Sequence, residues 1–256
     1  MRHLLSRDGR ELLAQLASTH VLLAFDFDGT LAPIVSDRDD ARMRAATARL
    51  FSRVAAAYPV AVISGRARPD VTARLGDAPV RHVVGNHGLE PGGDMRRFER
   101  IVARVRPLLE ASLRAVRGVD VEDKRYSVAI HYRHARGKRE ARAAIRAAVE
   151  ALPDRMRLVA GKLVVNLVPE HAPNKGDALL ALREKERADV AIYVGDDVTD
   201  EDVFVLDEPG ALLSARIGRS VRSAAPYYLR DQREMDTLLE VLARARPRPL
   251  GTTTHP

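Results

Sequence analysis

The 256-residue chain has no cysteine. That excludes a disulfide framework and any thiolate metal site, and gives no pointer to an oxidising compartment. No apolar run approaches the roughly 20 residues that a membrane-spanning helix needs. Aromatic residues are scarce, at 4%, and no basic block has aromatics interleaved with it. The chain is nonetheless basic, at +7 from 42 Lys plus Arg against 35 Asp plus Glu. The positive charge is spread along alanine-rich helical stretches such as 136–146. That argues against a nucleic-acid partner and leaves an anionic substrate or an arginine-rich surface. The opening Met1-Arg2-His3-Leu4-Leu5-Ser6-Arg7-Asp8 is too polar for a signal peptide. The expectation is a cytoplasmic protein with no membrane association. Oligomeric state is not legible.

What is present is concentrated at one place. Val21-Leu22-Leu23-Ala24-Phe25 runs into Asp26-Phe27-Asp28-Gly29-Thr30-Leu31. Five apolar residues have the length and composition of a fully buried strand. Carboxylates at the carboxyl end of such a strand sit where open α/β sheets bind ligands. Side chains two apart on an extended strand share a face, so Asp26 and Asp28 are expected to meet one metal or one substrate. A strand ending in a polar turn is the plainer alternative. An EF-hand is excluded, because the glycine comes too early and the closing glutamate is missing.

The rest of the chain alternates helix and strand. Helices are expected at 8–17, 39–58 and 69–75, with buried strands at 60–63 and 81–84. This order implies parallel strands with helical crossovers. The pattern then changes to a helix at 95–116, strands at 119–122 and 127–133, and a helix at 136–151. A hairpin over 158–168 turning at Gly161-Lys162 follows. From Asn174 the alternation resumes, with a helix at 175–188, strands at 190–194 and near 211–215, and a helix at 232–244. The expected architecture is α/β, a doubly wound parallel-sheet (Rossmann-like) core over 1–94 and 170–246. It is interrupted by an inserted α+β cap domain over 95–169, and the tail 247–256 is expected to be disordered.

Three further segments carry chemistry. Ser64-Gly65-Arg66 follows the second buried strand, where a hydroxyl and backbone N–H groups can cradle phosphate, although Ser-Gly is also an ordinary turn. Asn174-Lys175-Gly176-Asp177 opens a helix, with Asn174 and Asp177 in the positions of a capping box. Lys175 at that terminus would screen an aspartate and a phosphate held together. Tyr193-Val194-Gly195-Asp196-Asp197-Val198-Thr199-Asp200-Glu201-Asp202 puts carboxylates directly after a buried strand. Such a run is usually a solvated turn, but here it suits a hard cation such as Mg²⁺, which takes one or two carboxylates and keeps water. Asp196 is the expected ligand. Asp197 and Asp200 are expected to orient ligands or waters from behind it, with Thr199 and Asp202 capping the following turn.

Taken in order, these motifs resemble those of the haloacid dehalogenase superfamily of phosphohydrolases. The resemblance implies that Asp26 attacks phosphorus and becomes an aspartyl phosphate, with Asp28 as general acid and base and Lys175 as the third catalytic residue. It implies Ser64, Gly65 and Arg66 as phosphate-binding residues, and Mg²⁺ held by Asp26, the backbone carbonyl of Asp28 and Asp196. The finer wording resembles the trehalose-6-phosphate phosphatases. Asp28-Gly29-Thr30-Leu31 continues to Pro33-Ile34, Gly85-Asn86-His87-Gly88-Leu89-Glu90 resembles their glycine-histidine-glycine loop, and Glu122-Asp123-Lys124 with His131-Tyr132-Arg133 resembles their cap signature. The implied substrate is trehalose 6-phosphate, a small-molecule sugar phosphate, read by His87, Glu122, Lys124 and Asn166. His131 and His134 lack metal-ligand spacing and are expected to be structural. The family's cap strand usually ends Glu-x-Arg/Lys-Pro, whereas this chain has Asn166, Val168 and Pro169. Asn166 and Val168 should share one strand face over the distal sugar, which leaves another glycosyl phosphate open as substrate. A catalytically silent phosphosugar-binding regulator is the alternative of a different class.

Overall fold

The computed structural model describes residues 1–91, 95–161, 163–206 and 208–246. The expected disordered tail and Lys162 of the expected hairpin turn lie outside them. In chain order the elements are β1 (Arg2–His3), α1 (Arg7–Ala17), β2 (Val21–Phe25), α2 (Ala45–Ala57), β3 (Val60–Ile63), α3 (Arg68–Leu75) and β4 (His82–Val84). Then come α4 (Met95–Leu113), β5 (Asp120–Asp123), β6 (Val128–His131), α5 (Lys138–Glu150), β7 (Met156–Gly161) and β8 (Val164–Pro169). The chain closes with α6 (Lys175–Glu186), β9 (Val190–Gly195), α7 (Glu201–Phe204), β10 (Leu212–Ile217), β11 (Tyr227–Leu229) and α8 (Glu234–Ala245).

Seven strands form one sheet in the order β1-β11-β10-β9-β2-β3-β4, and every pairing in it is parallel. Both faces are covered, which explains the uninterrupted apolar runs. Alternation divides them. Val21, Leu23 and Phe25 pack with α1, α2, α3 and α8, while Leu22 and Ala24 pack with α6 and α7. Phe25 meets Phe51 of α2 edge-on, with ring centroids 6.0 Å apart, a contact typically contributing about 0.5–1.5 kcal/mol beyond area burial. Strands β2 and β9 are neighbours although far apart in sequence, with Phe25 opposite Val194. The chain winds outward from them in both directions, so their carboxyl ends flank the switch point where such sheets bind ligands.

A second, antiparallel sheet has the order β5-β6-β8-β7. It lies in sequence between β4 and α6, and packs with α4 and α5 on a core of its own that includes Val105, Leu109, Val128, Ile130, Ile145 and Leu167. A smaller cluster joins it to the first sheet's loops, through Leu89, Phe98, Tyr126, Val168 and Ala172.

One expected boundary needs correction. Helix α2 starts at Ala45, not at residue 39, and residues 38–40 make a separate 3₁₀ turn. Asp37 caps that turn, its side chain accepting the Asp39 N–H at 3.0 Å. Such side-chain bonds compete with helix continuation. Strands β1 and β11 are too short for periodicity to reveal, and exist because they pair with each other and with β10.

Candidate active site

Asp26 continues the phase of Leu22 and Ala24 and so points toward α6. Its N–H donates to Val194 O at 2.9 Å, which extends the β2–β9 ladder by one residue. Lys175, the first residue of α6, is buried to 1% exposure. Its Nζ lies 2.8 Å from Asp26 Oδ1 and 2.7 Å from Asp200 Oδ1. The capping box of α6 is made by Asn174 and Asp177, so the Lys175 side chain is not needed to start the helix.

Asp200 also accepts from Tyr193 Oη at 2.7 Å and from the N–H groups of Asp196 and Asp197, each at 2.8 Å. With Lys175 that fills about the whole accepting capacity of a carboxylate. Asp200 therefore orients its neighbours. Burial opposes its charge, but Lys175, Tyr193 and the Asp197 N–H hold its pKa below the ordinary value. Asp26 has only Lys175 against burial and two nearby carboxylates, and its pKa is raised. Burial, then Asp200, pushes Asp196 up to about 7.

Carboxylate oxygens of Asp26, Asp196 and Asp200 all lie within 4.8 Å of one another. Asp196 Oδ1 is buried and has no hydrogen-bond partner among the described residues. An orphaned, desolvated carboxylate oxygen beside a second carboxylate fits a hard, oxygen-seeking cation. The loop after β2 is shaped to admit it. Gly29 has φ +84°, and a Cβ there would fall 2.1 Å from Asp196 Oδ2.

Strand β2 ends at Phe25, and the chain then turns, with Ala32 N–H donating to Phe27 O at 2.8 Å and Gly29 N–H to Ala32 O at 2.7 Å. The Asp28 carboxylate points at Arg66, with Nε–Oδ2 at 2.6 Å and Nη2–Oδ1 at 2.8 Å. Arg66 also reaches Asp70 at 2.8 Å and Arg38 O at 2.6 Å, and its N–H donates to Ser64 Oγ at 3.1 Å. Arg66, expected at the phosphate, here spends its donors on Asp28 and its surroundings. Ser64 is fully buried at the end of β3, next to β2.

The four expected sugar-binding residues separate into two groups. Lys124 Nζ donates to Gly65 O at 3.1 Å and Asn166 Oδ1 at 3.3 Å. His87 packs so closely over Gly65 that a Cβ there would sit 2.5 Å from its Cε1. Neither His87 ring nitrogen has a partner among the described residues, and both are buried. Burial, then Lys124, Lys175 and Arg157, lowers its pKa well below the ordinary histidine value; only Asn166 acts the other way. His87 is thus a buried imidazole held against Gly65, with Lys124, Lys175 and Arg157 near enough to disfavour its charged form.

Glu122 makes no hydrogen bond to the other three but is close enough to Lys124 for their charges to favour one another; it is paired with Arg38 and lies 2.8 Å from His131 Nε2. Burial would raise its pKa, but His131 and Arg38 hold it down to about 2. Val168 is fully buried in the apolar cluster with Leu89 and Phe98. It shares the Asn166 face as expected, yet it packs and offers nothing polar. The turn after β9 is capped by Asp197 and Asp200, not by Thr199 and Asp202.

Sequence reasoning missed Tyr193, which reads as one more apolar strand residue until the turn brings Asp200 beneath it. It also missed Arg157, whose Nη2 lies 3.4 Å from Ala172 O and Pro173 O. No motif surrounds Arg157 to single it out.

A parallel sheet with an aspartate just after an interior strand, a lysine from the helix after an insertion and an acidic loop on the neighbouring strand defines a haloacid dehalogenase-like core. The trehalose-phosphatase family model matches residues 24–231, and the chain belongs to that family. It is 40% identical over 205 residues to the trehalose-phosphate phosphatase of Mycolicibacterium paratuberculosis, covering 74% of this chain and 52% of that one. It is 38% identical over 197 residues to that of Mycobacterium tuberculosis, covering 70% and 49%. The chain thus spans about half the length of the curated relatives it matches. Among solved structures, the C-terminal domain of C. albicans trehalose-6-phosphate phosphatase superposes with a TM-score of 0.73 at 22% identity, over 92% of this chain and 96% of that one. A trehalose-6-phosphate phosphatase related protein gives 0.71 at 22% identity, over 87% and 97%. At such identities the likeness speaks for the fold.

Proposed function

We propose that the chain hydrolyses trehalose 6-phosphate to trehalose and phosphate, by way of an aspartyl phosphate on Asp26. The observation that carries this is the buried Asp26–Lys175–Asp200 network at the switch point, with Asp196 beside it. A carboxylate nucleophile divides hydrolysis into two displacements. Lys175 holds the Asp26 carboxylate in one rotamer and offsets negative charge as phosphate arrives. Asp28 leaves Arg66, takes up a proton from solvent, gives it to the departing sugar oxygen, and recovers one from the attacking water. Ser64 and the backbone around Gly65 receive phosphoryl oxygens. Asp26, Asp196 and the backbone carbonyl of Asp28 would hold Mg²⁺, which when bound neutralises charge between the phosphoryl group and the carboxylates.

Residues 95–169 act as a cap over this site. Lys124, His87 and Asn166 read sugar hydroxyls from above the phosphate, and Glu122 joins them once it leaves Arg38. A second reading, the same chemistry on another glycosyl phosphate, is favoured by one observation: Asn166 is neutral and Val168 is buried and apolar. The deciding experiment is phosphate release across a panel of sugar phosphates, with and without Mg²⁺. Trehalose 6-phosphate should be the best substrate and the ion essential. Preference for another sugar phosphate would move the substrate and keep the chemistry, whereas no release from any member would refute both.

Among the described residues no helix is long and apolar enough to cross a membrane.

A further inference from the structure

The loop after β4 contains three consecutive residues in the left-handed region, Asn86, His87 and Gly88, with φ of 50°, 61° and 107°. Two of them are not glycine, and such conformations persist only where the surroundings hold them. The backbone holds them here: Asn86 N–H donates to Arg66 O at 2.7 Å, and His87 N–H to Ser64 O at 2.9 Å. The same loop abuts the start of α6, since a Cβ on Gly88 would fall 2.1 Å from Asn174 O. One short turn therefore touches the phosphate loop and the helix that carries Lys175.

Its third contact is with the cap. Asn86 is fully buried, and so is Ser127. Ser127 Oγ donates to Asn86 Oδ1 at 2.8 Å, and Asn86 Nδ2 donates to Lys124 O at 3.3 Å and Glu90 Oε2 at 2.9 Å. These bonds grip both ends of the tight Lys124–Ser127 turn, which is closed by Lys124 N–H to Ser127 O at 3.0 Å. Arg125 inside it also has positive φ, at 68°. The turn delivers Lys124 Nζ across to Gly65 O and Asn166. None of the motif roles assigned above uses the Asn86 side chain.

We propose that Asn86 is a positioning residue for substrate selection. From the core it fixes the cap turn Lys124–Ser127, so that Lys124 meets the sugar at the distance set by the phosphate loop on which Asn86 itself is hydrogen-bonded. This rests on the sugar-phosphate reading above and adds to it how cap and core are kept in register.

The test uses two variants. Ser127→Ala removes one bond and leaves Asn86 Oδ1 buried without a partner. Asn86→Gly removes the whole grip while suiting positive φ, so the loop itself is not strained. Specificity constants are measured for trehalose 6-phosphate and for p-nitrophenyl phosphate, which has no sugar to read, in wild-type and Lys124→Met backgrounds. Each variant should lower kcat/KM for the sugar phosphate about ten-fold, chiefly through KM. Turnover of the aryl phosphate should stay within about two-fold. In the Lys124→Met background neither variant should add a further loss, because coupled residues are not additive.

Equal losses on both substrates, or full additivity with Lys124→Met, would overturn the inference and reduce Asn86 to a packing role. A selective wild type whose selectivity survives both variants overturns the inference alone. A wild type that cleaves the aryl phosphate but prefers no sugar phosphate overturns the substrate reading and this inference together.

Discussion

Replacing Lys175 with methionine keeps the length and volume of a fully buried side chain and deletes its charge. Two carboxylates, Asp26 and Asp200, then lose a donor at 2.8 and 2.7 Å. Breaking a buried pair by removing one partner typically costs about 3–5 kcal/mol. Two features favour the lower end. Asp200 keeps Tyr193 and two backbone N–H donors. Asp26 is already displaced toward its protonated form by burial, so it can shed its charge. For a chain of this size, roughly 3 kcal/mol corresponds to a fall in Tm of about 6–12 °C. The deficit should grow as pH rises. Asp26, whose folded pKa lies above its unfolded value, costs stability as pH rises between the two; removing the lysine raises that pKa further and takes from Asp200 a partner that holds its pKa down. Thermal unfolding of wild type and variant in chelator, at three pH values, measures this, and steady-state phosphate release measures the loss of turnover. A variant with unchanged Tm and normal kcat would refute the charge argument. A small loss of stability with normal kinetics would mean that Lys175 is only a structural partner of Asp26 and Asp200.

Asp26→Asn should abolish phosphate release while leaving the circular dichroism spectrum and Tm near wild type. Asp28→Asn should lower kcat about 10²–10⁴-fold, the usual range for loss of a general acid and base. Because Asp196 is pushed up to about 7, the metal has to displace a proton at lower pH. The gain in Tm on adding Mg²⁺ should therefore be larger at pH 8 than at pH 6, and equal gains would argue against Asp196 as a ligand. Asn166→Glu should raise the preference for trehalose 6-phosphate over glucose 6-phosphate, by roughly ten- to hundred-fold if a charge-assisted hydrogen bond forms. Equal change on both substrates would take Asn166 off the distal sugar.

The buried cluster of the candidate site was legible because its residues sit where chain direction is fixed by local rules. Asp26 and Asp196 end buried strands, and Lys175 begins a capped helix, so alternation and capping place them. The parallel sheet followed from unbroken apolar runs alternating with helices. For Asp28 the strand pattern gave a position and not a partner, since its carboxylate pairs with Arg66. Its partner Arg66 lies on another strand's loop, and no spacing announces their pairing. Val168 was misplaced in role, though not in face, because strand alternation says which residues share a side and not what covers that side. The Asn86 contacts depend on a left-handed turn meeting a tight turn of the inserted module. Tyr193 was hidden inside an apolar strand for a similar reason, since its hydroxyl acquires meaning only from Asp200 seven residues on.

The central claim is that Asp26 carries the phosphoryl group. The direct measurement is an acid quench of the protein turning over phosphoryl-labelled trehalose 6-phosphate with Mg²⁺, followed by peptide mapping. Label should appear transiently on the peptide containing Asp26, be released by hydroxylamine as an acyl phosphate is, and be absent from the Asp26→Asn variant. Rapid turnover with no label on protein, or label on a peptide lacking Asp26, would contradict the account.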